Sequence, residues 1–141
     1  AINTGIGFAI SSNIVRKVVP SLIEKGSYAY PYLGLTSYSS MSLAMMEVLD
    51  LPQTTGAYVS SVVEGGPADK AGIRGGNVPS SVQGLYKGGD LIIAVDGQPI
   101  KDFSELMSYM VVNKNPGETI TFTVLRDGKT LDVDVLLGHR E

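Results

Sequence analysis

The sequence predicts a mixed α+β domain in which β-strands dominate. Thr119–Leu125 and Lys129–Leu137 carry apolar and β-branched residues and are joined across Asp127-Gly128, a pair typical of β-hairpins. Apolar residues recur at helical spacing from Phe103 to Val111, which predicts a helix with one apolar face. A hairpin and an amphipathic helix of this kind are expected to bury their apolar faces in one core.

The first part of the chain predicts a strand and a helix. Ile6–Ile10 is typical of a short buried strand. Ser11 and Ser12 offer an N-cap to a helix that Gly26 can end. Pro20 lies inside this helical pattern and removes one backbone donor, so it should kink or shorten the helix.

The middle of the chain alternates between helices and strands. Residues 27–31 are predicted to form a linker, and Ser40 is expected to cap a helix that runs through Leu49. Gly56–Val63 is rich in β-branched residues and predicts a strand. Pro67 suits the first position of a short helix.

The segment before the amphipathic helix contains a loop and a strand. Arg74–Tyr86 is rich in Gly, Ser and Pro, which predicts a surface loop. Asp90–Val95 predicts an apolar strand, followed by a tight turn and a short return strand. Asp102, with Glu105 three residues later, indicates a capping box at the start of the amphipathic helix.

Composition narrows the range of functions. The chain has 141 residues, 43% of them hydrophobic and 18% charged, which suits one ordinary domain. A net charge of −3 without a dense basic run argues against nucleic acid as a partner. There is no cysteine, which excludes disulfides and thiolate metal sites.

The residues that catalysis requires are not present in a recognisable pattern. A serine nucleophile needs a base that a third group orients, and the single histidine of the chain, His139, is two residues from its end. Gly88-Gly89-Asp90 precedes a strand, which is the wrong order for a phosphate-binding loop. We therefore predict no catalytic residues, no cofactor and no metal in this chain.

A glycine between two leucines stands out in Tyr30-Pro31-Tyr32-Leu33-Gly34-Leu35. A glycine at the start of a strand lets a ligand or another backbone approach closely. The residues alone leave two interpretations open: a corner whose leucines enter the core, or a binding loop.

The same stretch resembles the carboxylate-binding loop of PDZ domains, and its Tyr-Leu-Gly-Leu form is most similar to those of HtrA (Deg-type) serine proteases. The Gly-Pro-Ala…Ala-Gly-Ile pattern of Gly66–Ile73 resembles the short helix of these domains. The Gly-Ile-Gly-Phe-Ala-Ile pattern at the start of the chain resembles the last strand of their protease domain. Arg74–Tyr86 departs from the family pattern and is interpreted as an insertion.

This resemblance implies a domain organisation and a fold. Residues 1–29 would be a remnant of the protease domain, its C-terminal strand and helix plus a linker, and residues 30–141 would be the PDZ domain. The implied fold is a small, partly open antiparallel β-sandwich or barrel of five or six strands, capped by two helices. The resemblance also implies an extracytoplasmic location, whether periplasmic, secreted or membrane-anchored.

The resemblance further implies a peptide-binding function. Hydrophobic C-termini of substrate or regulatory peptides, and extended segments of unfolded proteins, would add as a strand beside the one that begins at Leu35. Backbone amides of Leu33, Gly34 and Leu35 would hold the terminal carboxylate. Tyr30, where many family members carry a basic residue, has no charge to assist. The predicted site comprises Tyr32, Leu33, Gly34, Leu35, Thr36, Ser37, Leu106, Met107 and Met110.

The three helical residues of this site have a second interpretation. Leu106, Met107 and Met110 belong to one apolar face and could simply be core. If Met110 lines the pocket, Met110→Lys should abolish binding at a cost of about 1 kcal/mol or less in stability.

Two alternatives to peptide binding stay open. The first is an interaction module that docks on its own protease domain or on a neighbouring subunit, by self-association. The second is a PDZ domain of a secretion component or an intramembrane protease. Under the HtrA interpretation the parent protein would be a serine endopeptidase whose catalytic residues lie outside this chain.

Overall fold

The computed structural model describes residues 11–140, which form four helices and ten strands. The predicted strand at Ile6–Ile10 lies outside these residues. In chain order the elements are α1 (Ser12–Lys25), β1 (Tyr30–Tyr32), β2 (Leu35–Ser37), α2 (Leu43–Val48), β3 (Ala57–Val62), α3 (Pro67–Lys70), β4 (Val78–Pro79), β5 (Tyr86–Lys87), β6 (Leu91–Val95), β7 (Gln98–Pro99), α4 (Phe103–Asn113), β8 (Thr119–Arg126), β9 (Lys129–Leu136) and β10 (Gly138–Arg140).

The main sheet is antiparallel and has six strands. Its order is β2-β3-β6-β8-β9, and β7 pairs with β6 as a short return strand. Two further pairs, β1 with β10 and β4 with β5, form separate two-stranded ribbons. The mainly β, α+β fold expected from the sequence is confirmed.

The main core lies between the sheet and α4. Side chains of β8 alternate between buried and partly exposed positions, so that Ile120, Phe122 and Val124 point into this core. Leu106 and Met110 of α4 are buried against the same cluster. The alternate residues of β8 and the residues at helical spacing in α4 thus pack against each other in one core.

A second, smaller core on another part of the sheet is built around Tyr58. Its ring stacks on Tyr38 at a centroid distance of 6.1 Å. Its hydroxyl donates to the carbonyl of Tyr86 (2.6 Å) and accepts from the amide of Gly89 (3.0 Å), and burial raises its pKa. The predicted loop at 74–86 is therefore wrong in part, because β4 lies within it and pairs with β5, which the Tyr58 hydroxyl anchors.

A buried ion pair joins β6 to β8. The carboxylate of Asp90 is fully buried and accepts from Nε and Nη2 of Arg126 at 2.7 and 2.6 Å. It also accepts from the amide of Arg74 (2.9 Å), and Arg126 donates to the carbonyl of Gly72 (2.7 Å). The carboxylate raises the pKa of Arg126 by hydrogen bonding, so the guanidinium stays charged.

A second carboxylate, that of Asp96, fixes α4 to the sheet. It accepts from the hydroxyl of Tyr109 and the amide of Thr121, both at 2.9 Å, and pairs with Lys114 at 2.9 Å. Partial burial alone would raise the pKa of Asp96, but these three hydrogen bonds and the Lys114 charge outweigh it and lower the pKa below 3.8.

The predicted start of α2 needs correction, and the predicted end of α1 is confirmed. The cap of α2 is Ser42 rather than Ser40, because the Ser42 hydroxyl accepts from the amide of Met45 (3.2 Å). Helix α1 ends at Gly26 as predicted, where a positive φ of 70° terminates it, and Pro20 does not shorten it. Around a proline only one helical hydrogen bond is lost, and the remaining turns of α1 stay helical.

The predicted linker and the end of the chain pair with each other. Tyr30, Pro31 and Tyr32 lie opposite Arg140, His139 and Gly138 in an antiparallel ribbon. His139 is exposed within this strand.

Helix α1 contacts the end of α4. The ammonium group of Lys17 donates to the carbonyls of Val111 (2.8 Å) and Lys114, which are left open where α4 ends. No side chain of α1 is buried, and Val15, Val19, Leu22 and Ile23 are among the exposed apolar residues. Among the helices of residues 11–140, none has the length and apolar character to cross a membrane.

Replacing Asp90 should reveal the cost of leaving Arg126 buried and unpaired. We expect Asp90→Asn to lower the free energy of unfolding by about 3–5 kcal/mol. Urea denaturation will measure this. The matched control is Asp127→Asn, which removes an exposed pair with Arg74 and should cost less than about 1 kcal/mol. Equal losses in the two variants would contradict the assigned role of the Asp90 pair.

The lowered pKa of Asp96 makes its stabilisation dependent on pH. A carboxyl whose folded pKa is depressed stabilises the fold fully above the unfolded value of 3.8 and loses this effect as pH falls through the folded value. The free-energy difference between wild type and Asp96→Asn should therefore be constant near neutral pH and narrow below about pH 4. Denaturation at several pH values will test this, and a pH-independent difference would contradict it.

Candidate functional site

A groove of about 320 Å³ runs between α4 and the segment that leads from β1 into β2. It is mostly apolar on both sides. Its lining residues are Tyr30, Pro31, Tyr32, Leu33, Gly34, Leu35, Phe103, Met107, Met110, Val111 and Arg140.

The loop between β1 and β2 is held by its carbonyl groups. The carbonyl of Leu33 accepts from the amide of Ala68 at the start of α3 (2.9 Å), and that of Gly34 accepts from Val63 (2.8 Å). A trans peptide places its N–H opposite its C=O, and no cis peptide is found among residues 11–140. The amides of Gly34 and Leu35 are therefore directed away from α3 and β3. Two such amides are suited to an anion.

Gly34 adopts a left-handed conformation that only glycine accepts without strain. Its φ is +72°, and a Cβ at this position would lie 3.3 Å from Cδ of Pro67 and 3.4 Å from the ring of Tyr32. The Tyr32 ring thus covers the loop. Both the turn of the chain and the close packing explain why a glycine stands between the two leucines.

Strand β2 is the terminal strand of the main sheet as described, paired with β3 alone. Thr36 and Ser37, both predicted site residues, do not line the groove. The Thr36 hydroxyl instead bonds those of Ser60 and Ser61 at 2.9 and 2.6 Å. Their contribution to a site would come from the open backbone edge of β2.

The apolar face of α4 divides between groove and core. Met107 is half-buried and Met110 is only 1% exposed, and both border the groove. Leu106, which the sequence analysis placed in the pocket, is fully buried in the main core and is not a lining residue. Leu106 precedes Met107 by one position, so the two side chains point about 100° apart around the helix axis, and Leu106 faces the core.

Several lining residues were not in the predicted site. Phe103 and Val111 share the helical spacing of Met107, so the periodicity of α4 could have identified them. Arg140 has no such signal. It reaches the groove because β10 pairs with β1, which places Arg140 directly opposite Tyr30. Tyr30 packs edge to face on Tyr28 at 4.8 Å.

The groove offers backbone amides, apolar side chains and one cation. Within residues 11–140 no group of three His, Cys, Asp or Glu side chains is placed to hold a metal ion. The arrangement is therefore suited to binding an extended chain with an anionic end.

Comparison with known proteins identifies the class. The family model described as "PDZ domain" matches residues 31–137. The chain therefore belongs to the PDZ domain family, and the resemblance stated from the Tyr-Leu-Gly-Leu loop is confirmed.

The relatives are HtrA-type proteases. The periplasmic pH-dependent serine endoprotease DegQ of Escherichia coli is 34% identical over 135 residues, which cover 96% of this chain and 26% of DegQ. The solved structure of the HtrA-type protease AlgW with a decapeptide is 29% identical with a TM-score of 0.75, covering 98% of this chain and 38% of AlgW. The HtrA3 PDZ domain, 21% identical over 80% of this chain and 89% of its own, shares the fold with a TM-score of 0.58. The chain spans about a quarter of DegQ.

The burial of Met110 changes the stability expected for a charged variant. Because its side chain is 1% exposed, Met110→Lys should lower the free energy of unfolding by about 3 kcal/mol or more. Met107→Lys can extend its ammonium group to water and should cost about 1 kcal/mol. Urea denaturation of both variants will measure the two costs. A stable Met110→Lys protein would show that Met110 is a groove residue whose core contacts matter little.

Proposed function

We propose that this chain is the peptide-binding module of an HtrA-like serine endopeptidase and recognises hydrophobic C-termini by β-strand addition. One observation carries the proposal: the amides of Gly34 and Leu35 are directed away from α3 and β3, at the head of the apolar groove between β2 and α4. A terminal carboxylate would bind these amides while the preceding residues pair with β2.

The last side chain of the peptide would enter the groove. Leu33 and Met110 form its buried floor, and Leu35 and Met107 are its more accessible walls. Two methionines adapt to side chains of different shape, so the pocket should accept several apolar residues. Thr36 and Ser37 would contribute only backbone groups to the added strand.

The relatives support this proposal and its wider setting. AlgW has been solved with a decapeptide and with a tripeptide, and DegQ is named as a periplasmic endoprotease. By analogy, we propose an extracytoplasmic location and a parent serine endopeptidase. Residues 1–29 would then be the end of the protease domain, and residues 30–141 the PDZ domain.

We expect no peptide-bond hydrolysis by the chain itself. Its one histidine, His139, lies in β10 opposite Pro31. A triad would need this histidine to hold both a nucleophile and a carboxylate, and its ring makes no hydrogen bond with the described residues.

A second role is favoured by α1. Its exposed apolar residues form a surface that the described domain does not cover. We propose that this surface packs on the protease domain of the parent protein or on a neighbouring subunit.

Binding to a short apolar peptide tests the main proposal. Wild type should bind a peptide that ends in Val with a Kd in the micromolar range or weaker, and the same peptide with an amidated C-terminus more weakly still. Met107→Lys should abolish binding, because the last apolar side chain of the peptide would pack against this wall of the groove and strip water from the lysine charge. Calorimetric titration will measure all affinities.

Leu131→Lys is the matched control for this test. Leu131 is 40% exposed on β9, away from the groove, so the added charge should leave the affinity unchanged. If free and amidated peptides bind wild type equally, the role given to the Gly34 and Leu35 amides is wrong.

A further inference from the structure

Among the described residues that line the groove, a single side chain is charged. Ten of its eleven lining residues are uncharged at neutral pH, and the eleventh is Arg140. A cation beside an apolar groove attracts an anion more strongly than one on an open surface, because the walls exclude part of the water.

Arg140 has no partner among the described residues. Within residues 11–140 its guanidinium makes no ion pair and no hydrogen bond, whereas Arg74 and Arg126 both face carboxylates. The side chain is exposed, so binding an anion would not require an internal contact to break.

The β1–β10 ribbon brings Arg140 towards the loop amides. Arg140 lies opposite Tyr30, and Gly138 lies opposite Tyr32. Directly opposed residues point to the same face of a ribbon. Tyr32 in turn touches the position of a Cβ on Gly34 at 3.4 Å. Two residues along a strand span about 7 Å, a distance that an arginine side chain covers.

We propose that Arg140 binds the terminal carboxylate of the peptide, together with the amides of Gly34 and Leu35. This assignment rests on the proposed peptide-binding function. The guanidinium offers a planar pair of donors that suits a carboxylate, and a charge-assisted bond is stronger than one from a neutral amide. The ligand class is therefore a peptide with a free C-terminus, and β10 is part of the binding site.

The test is a double-mutant cycle between Arg140 and the carboxylate. The probe is a fluorescent apolar peptide without acidic residues that ends in Val, in free-acid and amidated forms. Arg140→Gln should weaken free-acid binding about tenfold and amide binding less than twofold, and Arg140→Lys should lie between. Raising the salt concentration should weaken wild type more than Arg140→Gln.

Arg16→Gln is the matched control. Arg16 is exposed on α1 and does not line the groove, so it should leave both affinities unchanged. Thermal melts should show both glutamine variants folded like wild type, because both side chains are exposed.

Each contrary outcome shows whether the Arg140 assignment or the proposed peptide-binding function is wrong. If wild type prefers the free acid and Arg140→Gln retains that preference, the Arg140 assignment is wrong and the peptide-binding function stands. If Arg140→Gln weakens both forms equally, Arg140 acts on another part of the peptide, and the assignment is overturned. If wild type binds neither form, the peptide-binding function itself fails.

Discussion

The buried pair of Asp90 and Arg126 is the interaction on which the arrangement of the sheet depends. Asp90 uses its carboxylate, its amide and its carbonyl together: it binds Arg126 and the Arg74 amide, donates to the Arg74 carbonyl (2.9 Å), and accepts from Val59 (2.8 Å). The two ends of the segment from Arg74 to Asp90 are therefore hydrogen-bonded to each other. A hairpin can be accommodated there without displacing β6, since its ends do not move.

The shape of the groove also follows from the need of buried polar groups for hydrogen-bond partners. The carbonyls of Leu33 and Gly34 are bonded inside the domain, to Ala68 and Val63, and this leaves the next amides facing outwards. Helix α4, which forms the opposite wall of the groove, is also held by hydrogen bonds and an ion pair. Asp96 fixes α4 to the sheet, and Lys17 of α1 binds the open carbonyls at its C-terminal end. The binding surface is thus a consequence of internal hydrogen bonds, which preorganise it for a ligand.

Local patterns in the sequence determined much of the fold. The apolar and β-branched residues of β8 and β9, the turn at Asp127-Gly128 and the helical period of α4 each depend on neighbouring residues, and all three were predicted. The loop at Gly34 could also be recognised in the sequence, because a glycine between two leucines at the start of a strand indicates either a corner or a binding loop. Periodicity could not separate Leu106 from Met107, since both are apolar on one helix, and only packing distinguishes core from groove.

Tertiary structure decided what depends on distant parts of the chain. The pairing of β1 with β10, and with it the position of Arg140, joins the two ends of the domain, for which neither strand carries a local signal. The hairpin of β4 and β5 lies in a segment rich in Gly, Ser and Pro, which predicts a loop, and the distant Tyr58 anchors its second strand. The sequence alone thus determined the helices, strands and turns that depend on neighbouring residues, and it identified the loop at Gly34 as a candidate binding loop. Their assembly into a groove with one cation required contacts between residues that are far apart in the chain, and these only the folded structure supplies.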